Sequence, residues 1–342
     1  MIAMDKCHEE IIKNRKPLLA YDETKDFDIW REQVREMLRD VLGDMPEERC
    51  DLNVRIEWEK EHETFFEKRI LFTAEEHVDV PCHLWVPKNA KLPCPVVICV
   101  AGHGTGMHIH MGRVIYEVDE EKVRAGAGRS DLAVQAIKEG YAALVMEQRA
   151  FGERKSEAFL QFAPDAQCTC HHVAMTAQLL GRTLIGERCW DISRAVDLIE
   201  TMPEVLDAKK IVLTGNSGGG TATYYAACVE PRIAMAVPSC SVCSFKHSIV
   251  WKRHCVCNYV PRIAKYVDMG ELACLIAPRP LVILAGVKDH GFHIDGAREI
   301  FEVVQKIYDK VGAGDNCHLK EGPEGHQYYP QLAWPMIHKY IK

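Results

Sequence analysis

Residues Lys210-Ile211-Val212-Leu213-Thr214-Gly215-Asn216-Ser217-Gly218-Gly219-Gly220 place the tightest limit on what this chain can fold into. An apolar, β-branched run stops at a glycine. A serine follows between further glycines, and Thr221 to Ala227 then reads as a helix. A Gly-x-Ser-x-Gly turn between a strand and a helix must bend sharply, and its glycines let it do so without Cβ clashes. The serine then stands on a strained turn as a candidate nucleophile. The plainer reading is a glycine-rich turn with a solvated serine, and only the rest of the chain can decide between the two.

Other apolar runs repeat this pattern. Strands are expected at Pro95 to Ala101, Ala142 to Met146, Ile233 to Val237, Leu281 to Ala285 and Asn316 to Lys320. Helices are expected at Asp131 to Glu139, Arg188 to Met202, Asp295 to Val311 and Gln331 to Ile341. Continuous apolar strands separated by helices imply an α/β fold with a mostly parallel sheet covered on both faces. Active sites of such sheets lie at the carboxyl ends of the strands. Ahead of this region, Val54 to Glu59, Phe65 to Phe72 and Val80 to Val86 read as antiparallel strands. Phe27, Ile29, Trp30, Val34, Met37, Leu38, Val41 and Leu42 recur near helical spacing and stop at Gly43. The expected organisation is an N-terminal helical extension over residues 1–45 and a catalytic domain over 46–342. Three segments break the alternation, at about 107–129, 151–178 and 239–271. Each follows the carboxyl end of an expected strand and should gather around the serine.

Composition excludes several classes. The 342 residues carry a formal net charge of -7 without a long basic run, which argues against nucleic acid as a partner. The longest apolar stretch, Pro95 to Ala101, is too short to span a bilayer, and the N-terminus lacks the apolar core of a signal peptide. A cytoplasmic protein without membrane contact is expected. The 15 cysteines lie in a long chain, many in strand-like or helix-like runs, and read as reduced thiols.

A serine nucleophile needs a base, an orienting acid and an oxyanion hole. The expected chain order is serine, acid, histidine. Asp289 follows the strand Leu281 to Ala285, and His326 lies on a glycine-flanked loop before the last helix. Ser217, Asp289 and His326 are therefore the candidate catalytic residues. Asp295, read as a helix N-cap, and Glu147 are the fallback acids. One oxyanion donor is the amide of Gly218, and the other is that of His103 or Gly104 in the loop Ala101-Gly102-His103-Gly104. Arg149, Phe151, Trp251 and Tyr259 are candidate substrate-pocket residues, with core packing as the ordinary alternative.

These residues carry a resemblance. Gly102-His103-Gly104, Gln148-Arg149-Ala150-Phe151-Gly152, Gly215-Asn216-Ser217-Gly218-Gly219, His254 to Pro261 and Ala277-Pro278-Arg279-Pro280-Leu281 are similar to segments of the acetyl xylan esterase-like (Abhydrolase_7) group. That group belongs to the α/β-hydrolase superfamily, near the dienelactone hydrolase and cephalosporin-C deacetylase families. The similarity covers nearly the whole chain. Ala101 and Ala150 stand where the group usually has His and Gly, and His293 where it often has Pro. The Gly-x-Ser-Gln-Gly and Arg-Gly-Gln motifs of true acetyl xylan and cephalosporin deacetylases are absent.

The resemblance implies an α/β-hydrolase fold and a serine ester hydrolase working through an acyl-enzyme. It implies a small-molecule ester substrate such as an acetylated sugar, and no cofactor. The N-terminal helix and relatives of this fold suggest a homo-oligomer. Two alternatives stay open: a dipeptidyl-peptidase-like serine peptidase, and a non-catalytic or metal-dependent small-molecule binder. Histidine and cysteine cluster at His103, His108 and His110; at Cys168, Cys170, His171 and His172; at Cys240 and Cys243; and at His254, Cys255 and Cys257. No second Cys-x₂₋₄-Cys pair completes a familiar zinc spacing, so no metal is expected.

Overall fold

The computed structural model describes residues 4–341, so residues 1–3 and 342, at the outer ends of the two expected segments, lie outside the described residues. The chain opens with helices α1 (Met4–Asn14) and α2 (Phe27–Leu42). Strands β1 (Arg55–Glu61), β2 (Phe65–Glu75), β3 (Val78–Pro87) and β4 (Cys94–Val100) follow. Next come α3 (Asp119–Gly126), α4 (Leu132–Lys138), β5 (Ala142–Met146), α5 (Glu157–Leu160), α6 (Cys170–Leu179) and α7 (Leu184–Glu200). The serine turn joins β6 (Leu206–Asn216) to α8 (Gly218–Val229). The chain ends with β7 (Met235–Ser239), α9 (Ile263–Tyr266), β8 (Leu281–Gly286), α10 (Ile294–Lys310), β9 (Cys317–Gly322) and α11 (Pro330–Tyr340).

The nine strands form one sheet in the order β1-β2-β3-β5-β4-β6-β7-β8-β9. The β1-β2, β2-β3 and β3-β5 pairs are antiparallel, and the rest are parallel. This is the α/β-hydrolase fold expected from the sequence. Strand side chains alternate between faces, and in the central strands both faces are buried. Val96, Ile98 and Val100 point into one hydrophobic core with Leu144, Leu213 and Ile283. Val97 and Cys99 point into the other with Val145, Val212 and Val282. That double burial is why the strands read as unbroken apolar runs. Register brings the strand ends level: Val100 lies opposite both Met146 and Gly215, and Asn216 lies opposite Ser239.

Helix α2 shows how closely local chemistry fixes its bounds. The Asp26 carboxylate caps it by accepting from the Ile29 amide at 3.0 Å. Gly43, at φ 93°, ends it where a side chain would collide with the Gly181 carbonyl. Its apolar stripe of Trp30, Val34, Leu38 and Leu42 is continuous with the larger sheet core. Trp30 packs on Tyr21 and Phe27, and its indole N–H donates to the Leu19 carbonyl at 2.9 Å. Helix α1 has no counterpart in the sequence reading. The three long segments hold α3, α5, α6, α9 and short 3-10 turns instead of irregular loop alone. No helix among the described residues is long and apolar enough to cross a membrane.

Because Trp30 is buried and hydrogen-bonded, Trp30→Ala should cost about 3–5 kcal/mol of stability by urea denaturation. Its exposed neighbour Ile29→Ala should stay within about 0.5 kcal/mol.

Candidate active site

Ser217 sits between β6 and α8 with φ 59° and ψ -124°, in the left-handed half of backbone space where a non-glycine residue is strained. Packing holds it there. A Cβ on Gly215 would lie 2.5 Å from the Val100 carbonyl oxygen, and one on Gly219 would lie 2.1 Å from the same atom. Only glycines allow the turn to press so closely on β4. The Ser217 amide donates to the Ser239 carbonyl at 2.9 Å, and the Ser239 hydroxyl donates to Asn216 Oδ1 at 2.8 Å. These bonds lock the turn onto β7. Sequence reading did not single out Ser239, because its role depends on strand register.

Asp289 is almost fully buried just beyond β8. Its Oδ1 accepts from the amides of Gly291 (2.7 Å) and Phe292 (3.1 Å), and its Oδ2 lies 2.7 Å from His326 Nδ1. Burial pushes this carboxyl up. The His326 hydrogen bond and charge, with the two amides, outweigh it and hold the group below the usual carboxylate range. An ionised carboxylate can only accept, so the imidazole proton is placed on Nδ1. Nε2 is then free to accept a proton. Among the described residues the Ser217 hydroxyl forms no hydrogen bond, and such contacts often tighten only when substrate binds.

Two adjoining clefts meet here. One, of about 350 Å³, is walled by Gly102, His103, Lys122, Ser217, His326 and Tyr328. The other, of about 500 Å³, shares His103, Ser217 and His326 and adds His254, Asp289 and Phe292. The amide of Gly218, on the first residue of α8, has no acceptor inside its helix. The amides of His103 and Gly104 likewise meet no acceptor among the described residues. The His103 ring covers Gly218 so closely that a Cβ there would lie 2.7 Å from it. Lys122 of α3 donates to the His103 carbonyl at 2.9 Å and so braces this loop. Nothing in the sequence marks Lys122, which arrives from a long insertion.

The other sequence candidates sit elsewhere. Arg149 is buried in an ion cluster with Asp191 (3.0 Å), Glu75 (2.6 Å) and Glu187 (3.4 Å). Phe151 is fully buried, with its ring edge-on to His103. Trp251 and Tyr259 line a separate groove of about 950 Å³ that does not include Ser217. Asp295 is exposed and pairs with His293 and Arg298. The cap of α10 is His293, which accepts from the Asp295 amide, so the expected Asp295 N-cap is not formed. Glu147 accepts from the Met107 amide at 3.1 Å, away from His326. Of the histidine clusters, His108 pairs with Asp119 at 2.7 Å and His110 contacts the Ser130 carbonyl. His103 instead meets Cys170, Cys255 and Cys257, their ligand atoms all lying within 4.8 Å of one another.

Asp289→Asn should lower kcat by on the order of 10⁴ by leaving the imidazole in the wrong tautomer, while Asp295→Asn leaves it nearly unchanged. The reverse ranking in steady-state assays would reassign the acid. Glu147 gives a second test. Burial, more than any other influence, pushes its carboxyl up to about 7 from 4.5. As pH rises through this window the unfolded chain releases a proton that the folded chain retains, so stability falls. The Glu147→Gln variant escapes that loss, which is at most about 3 kcal/mol. In urea titrations its advantage over wild type should therefore grow between about pH 5 and about pH 8. An equal difference at both values would contradict the assignment.

Comparison with known proteins agrees with this architecture. The chain is 26% identical over 301 residues to YtaP of Bacillus subtilis (strain 168), provisionally named a hydrolase; the match covers 86% of this chain and 94% of that protein. A Bacteroides fragilis NCTC 9343 crystal structure, provisionally named an acetyl xylan esterase, superposes with a TM-score of 0.83 at 15% identity, covering 100% of this chain and 95% of that one. A glucuronoyl esterase from Solibacter usitatus superposes with a TM-score of 0.70 at 16% identity, covering 96% and 97%. The sequence pattern of the Abhydrolase family matches residues 2–321. The chain therefore belongs to the Abhydrolase family and is a hydrolase with the α/β-hydrolase fold.

Proposed function

We propose that the protein is a serine carboxylic-ester hydrolase acting on a small carbohydrate ester. The observation that carries this reading is the 2.7 Å contact of His326 Nδ1 with Asp289, in a cleft wall shared with Ser217. The names of the Bacteroides and Solibacter proteins, acetyl xylan esterase and glucuronoyl esterase, support the ester class and the carbohydrate setting.

In this mechanism His326 Nε2 takes the Ser217 hydroxyl proton as Oγ attacks the ester carbonyl carbon. The C=O electron pair moves onto oxygen. The amides of Gly218 and of His103 or Gly104 receive that charge, each donor worth about 3–4 kcal/mol in the transition state. Asp289 stabilises the imidazolium without taking its proton. His326 then protonates the departing alkoxide, leaving an acyl-Ser217 ester. A water deprotonated by the same nitrogen attacks that ester, and the acid departs as Ser217 recovers its proton.

Ser217→Ala should lower turnover of p-nitrophenyl acetate by on the order of 10⁴ or more without loss of fold by circular dichroism. Unchanged turnover would overturn the serine mechanism. A panel of acetyl, feruloyl and uronate methyl esters, with aminoacyl amides alongside, then assigns the substrate. Cleavage of the amides in preference to every ester would replace the esterase reading with a peptidase.

A further inference from the structure

We propose that His103, Cys170, Cys255 and Cys257 form a closed tetrahedral site for Zn²⁺ that fastens the oxyanion loop to two of the long loops. The four residues come from three distant parts of the chain. His103 lies in the loop after β4, and Cys170 opens α6. Cys255 caps a short 3-10 turn (Val256–Asn258) in the 239–271 segment, and Cys257 lies within that turn. Their ligand atoms lie within 4.8 Å of one another, with His103 Nε2 3.2 Å from Cys257 Sγ. Around a tetrahedral zinc, with Zn–S near 2.3 Å and Zn–N near 2.0–2.1 Å, sulfur–sulfur edges are about 3.8 Å and nitrogen–sulfur edges about 3.6 Å. The cluster needs only small side-chain adjustments to meet those distances.

Local structure aims the ligands at one point. The Thr169 amide donates to the Ala150 carbonyl at 2.9 Å, setting the first turn of α6 beside Phe151. Asn258 Oδ1 accepts from the Thr221 hydroxyl at 2.8 Å, tying the Cys255–Cys257 turn to α8. The Phe151 ring lies between the His103 imidazole, 5.4 Å away edge-on, and the Arg188 guanidinium, 4.6 Å from its centroid.

Arg188 supplies the second, independent observation. Four arginines are buried: Arg69, Arg149, Arg188 and Arg194. Arg69 pairs with Glu57 and Glu153, Arg149 with Asp191, and Arg194 with Asp197. Arg188 is 1% exposed and has no carboxylate within 4.0 Å among the described residues. Its guanidinium donates to the Arg149 carbonyl at 2.7 Å and to Cys170 Sγ at 3.3 Å, and its Nη1 has no partner. An unpaired buried charge is costly. Three neutral thiols and a neutral imidazole would not relieve it. Three thiolates and an imidazole around Zn²⁺ leave one net negative charge beside the guanidinium. Binding would release three thiol protons to solvent, with no redox change. Soft thiolate ligands favour zinc over magnesium or calcium, and four protein ligands leave no open position for water. The role assigned to the ion is therefore structural: His103 gives its side chain to the metal and keeps its amide facing the cleft.

The site is tested on the full chain expressed with zinc present and then dialysed. Elemental analysis should find one Zn²⁺ per chain. Replacement by Co²⁺ should give intense thiolate-to-cobalt absorption and tetrahedral d–d bands. Cys170→Ser and Cys257→Ser should lose the ion, while Cys50→Ser keeps it. The wild-type cobalt spectrum is read independently of whether the two site variants fold. In variants that fold, kcat for p-nitrophenyl acetate should fall at least several-fold with KM little changed, as expected for a loop that acts in the transition state. Substoichiometric zinc after zinc-replete expression, a disulfide among these cysteines by intact mass, or iron in place of zinc would each overturn the proposal. Metal content and spectrum need no substrate, so they stand apart from the esterase reading.

Discussion

The contact on which the rest of the site depends is that between the serine turn and the end of β4. Gly215 and Gly219 both press on the Val100 carbonyl oxygen at distances that exclude a Cβ. This approach lets β6 pass straight into α8 with Ser217 held in a strained backbone conformation. It also sets the amide end of α8 beside the loop that begins at Ala101. The candidate nucleophile and the proposed oxyanion donors thus share one rigid junction instead of resting on separate loops. The strain at Ser217 is borne by the parallel β4-β6 pairing, which is buried on both faces.

A second layer of support is electrostatic. The loop after β5 carries Arg149 and Arg154, both anchored on the Asp191 carboxylate of α7. Gly152, at φ 46°, lies so close to the Glu147 carboxylate that no side chain could be fitted there. This part of the molecule is held by buried charge pairs and close backbone contacts. That explains why Arg149 and Phe151 stand behind the cleft and not in it. Arg149 needs its carboxylate partners, and Phe151 fills the space between an imidazole and a guanidinium.

The centre of the sheet was legible because both of its faces are buried there and strands such as β4, β5 and β8 therefore lack polar interruptions. The order of Ser217, Asp289 and His326 was legible because each follows a strand, and the structure brings Asp289 and His326 into contact. What sequence spacing missed arises between elements far apart in the chain. Ser239 matters only through register, and Lys122 only because α3 folds back over His103. The grouping of His103 with three cysteines was hidden for the same reason: one Cys-x-Cys step is too short to resemble a zinc motif, and the other two residues lie some 85 and 150 residues upstream. Trp251 and Tyr259 misled because aromatic residues in an insertion after a strand end need not face the strand end, and here they line another groove.

The outermost strand, β1, has every residue exposed, and its other side has no partner strand among the described residues. Such an edge is an open template for another chain. Here it carries Arg55, Glu57, Glu59, Lys60 and Glu61, four of them in contact with charges on neighbouring strands or loops: Arg55 with Asp79, Glu57 with Arg69, Glu59 with Lys68 and Glu61 with Lys88. Ile56 and Trp58 are exposed on the same strand, but a tenth strand would have to settle beside this row of ions. The edge thus guards itself against fibrillar stacking by chemistry instead of by a covering helix, and surface charge here works as a device for colloidal safety.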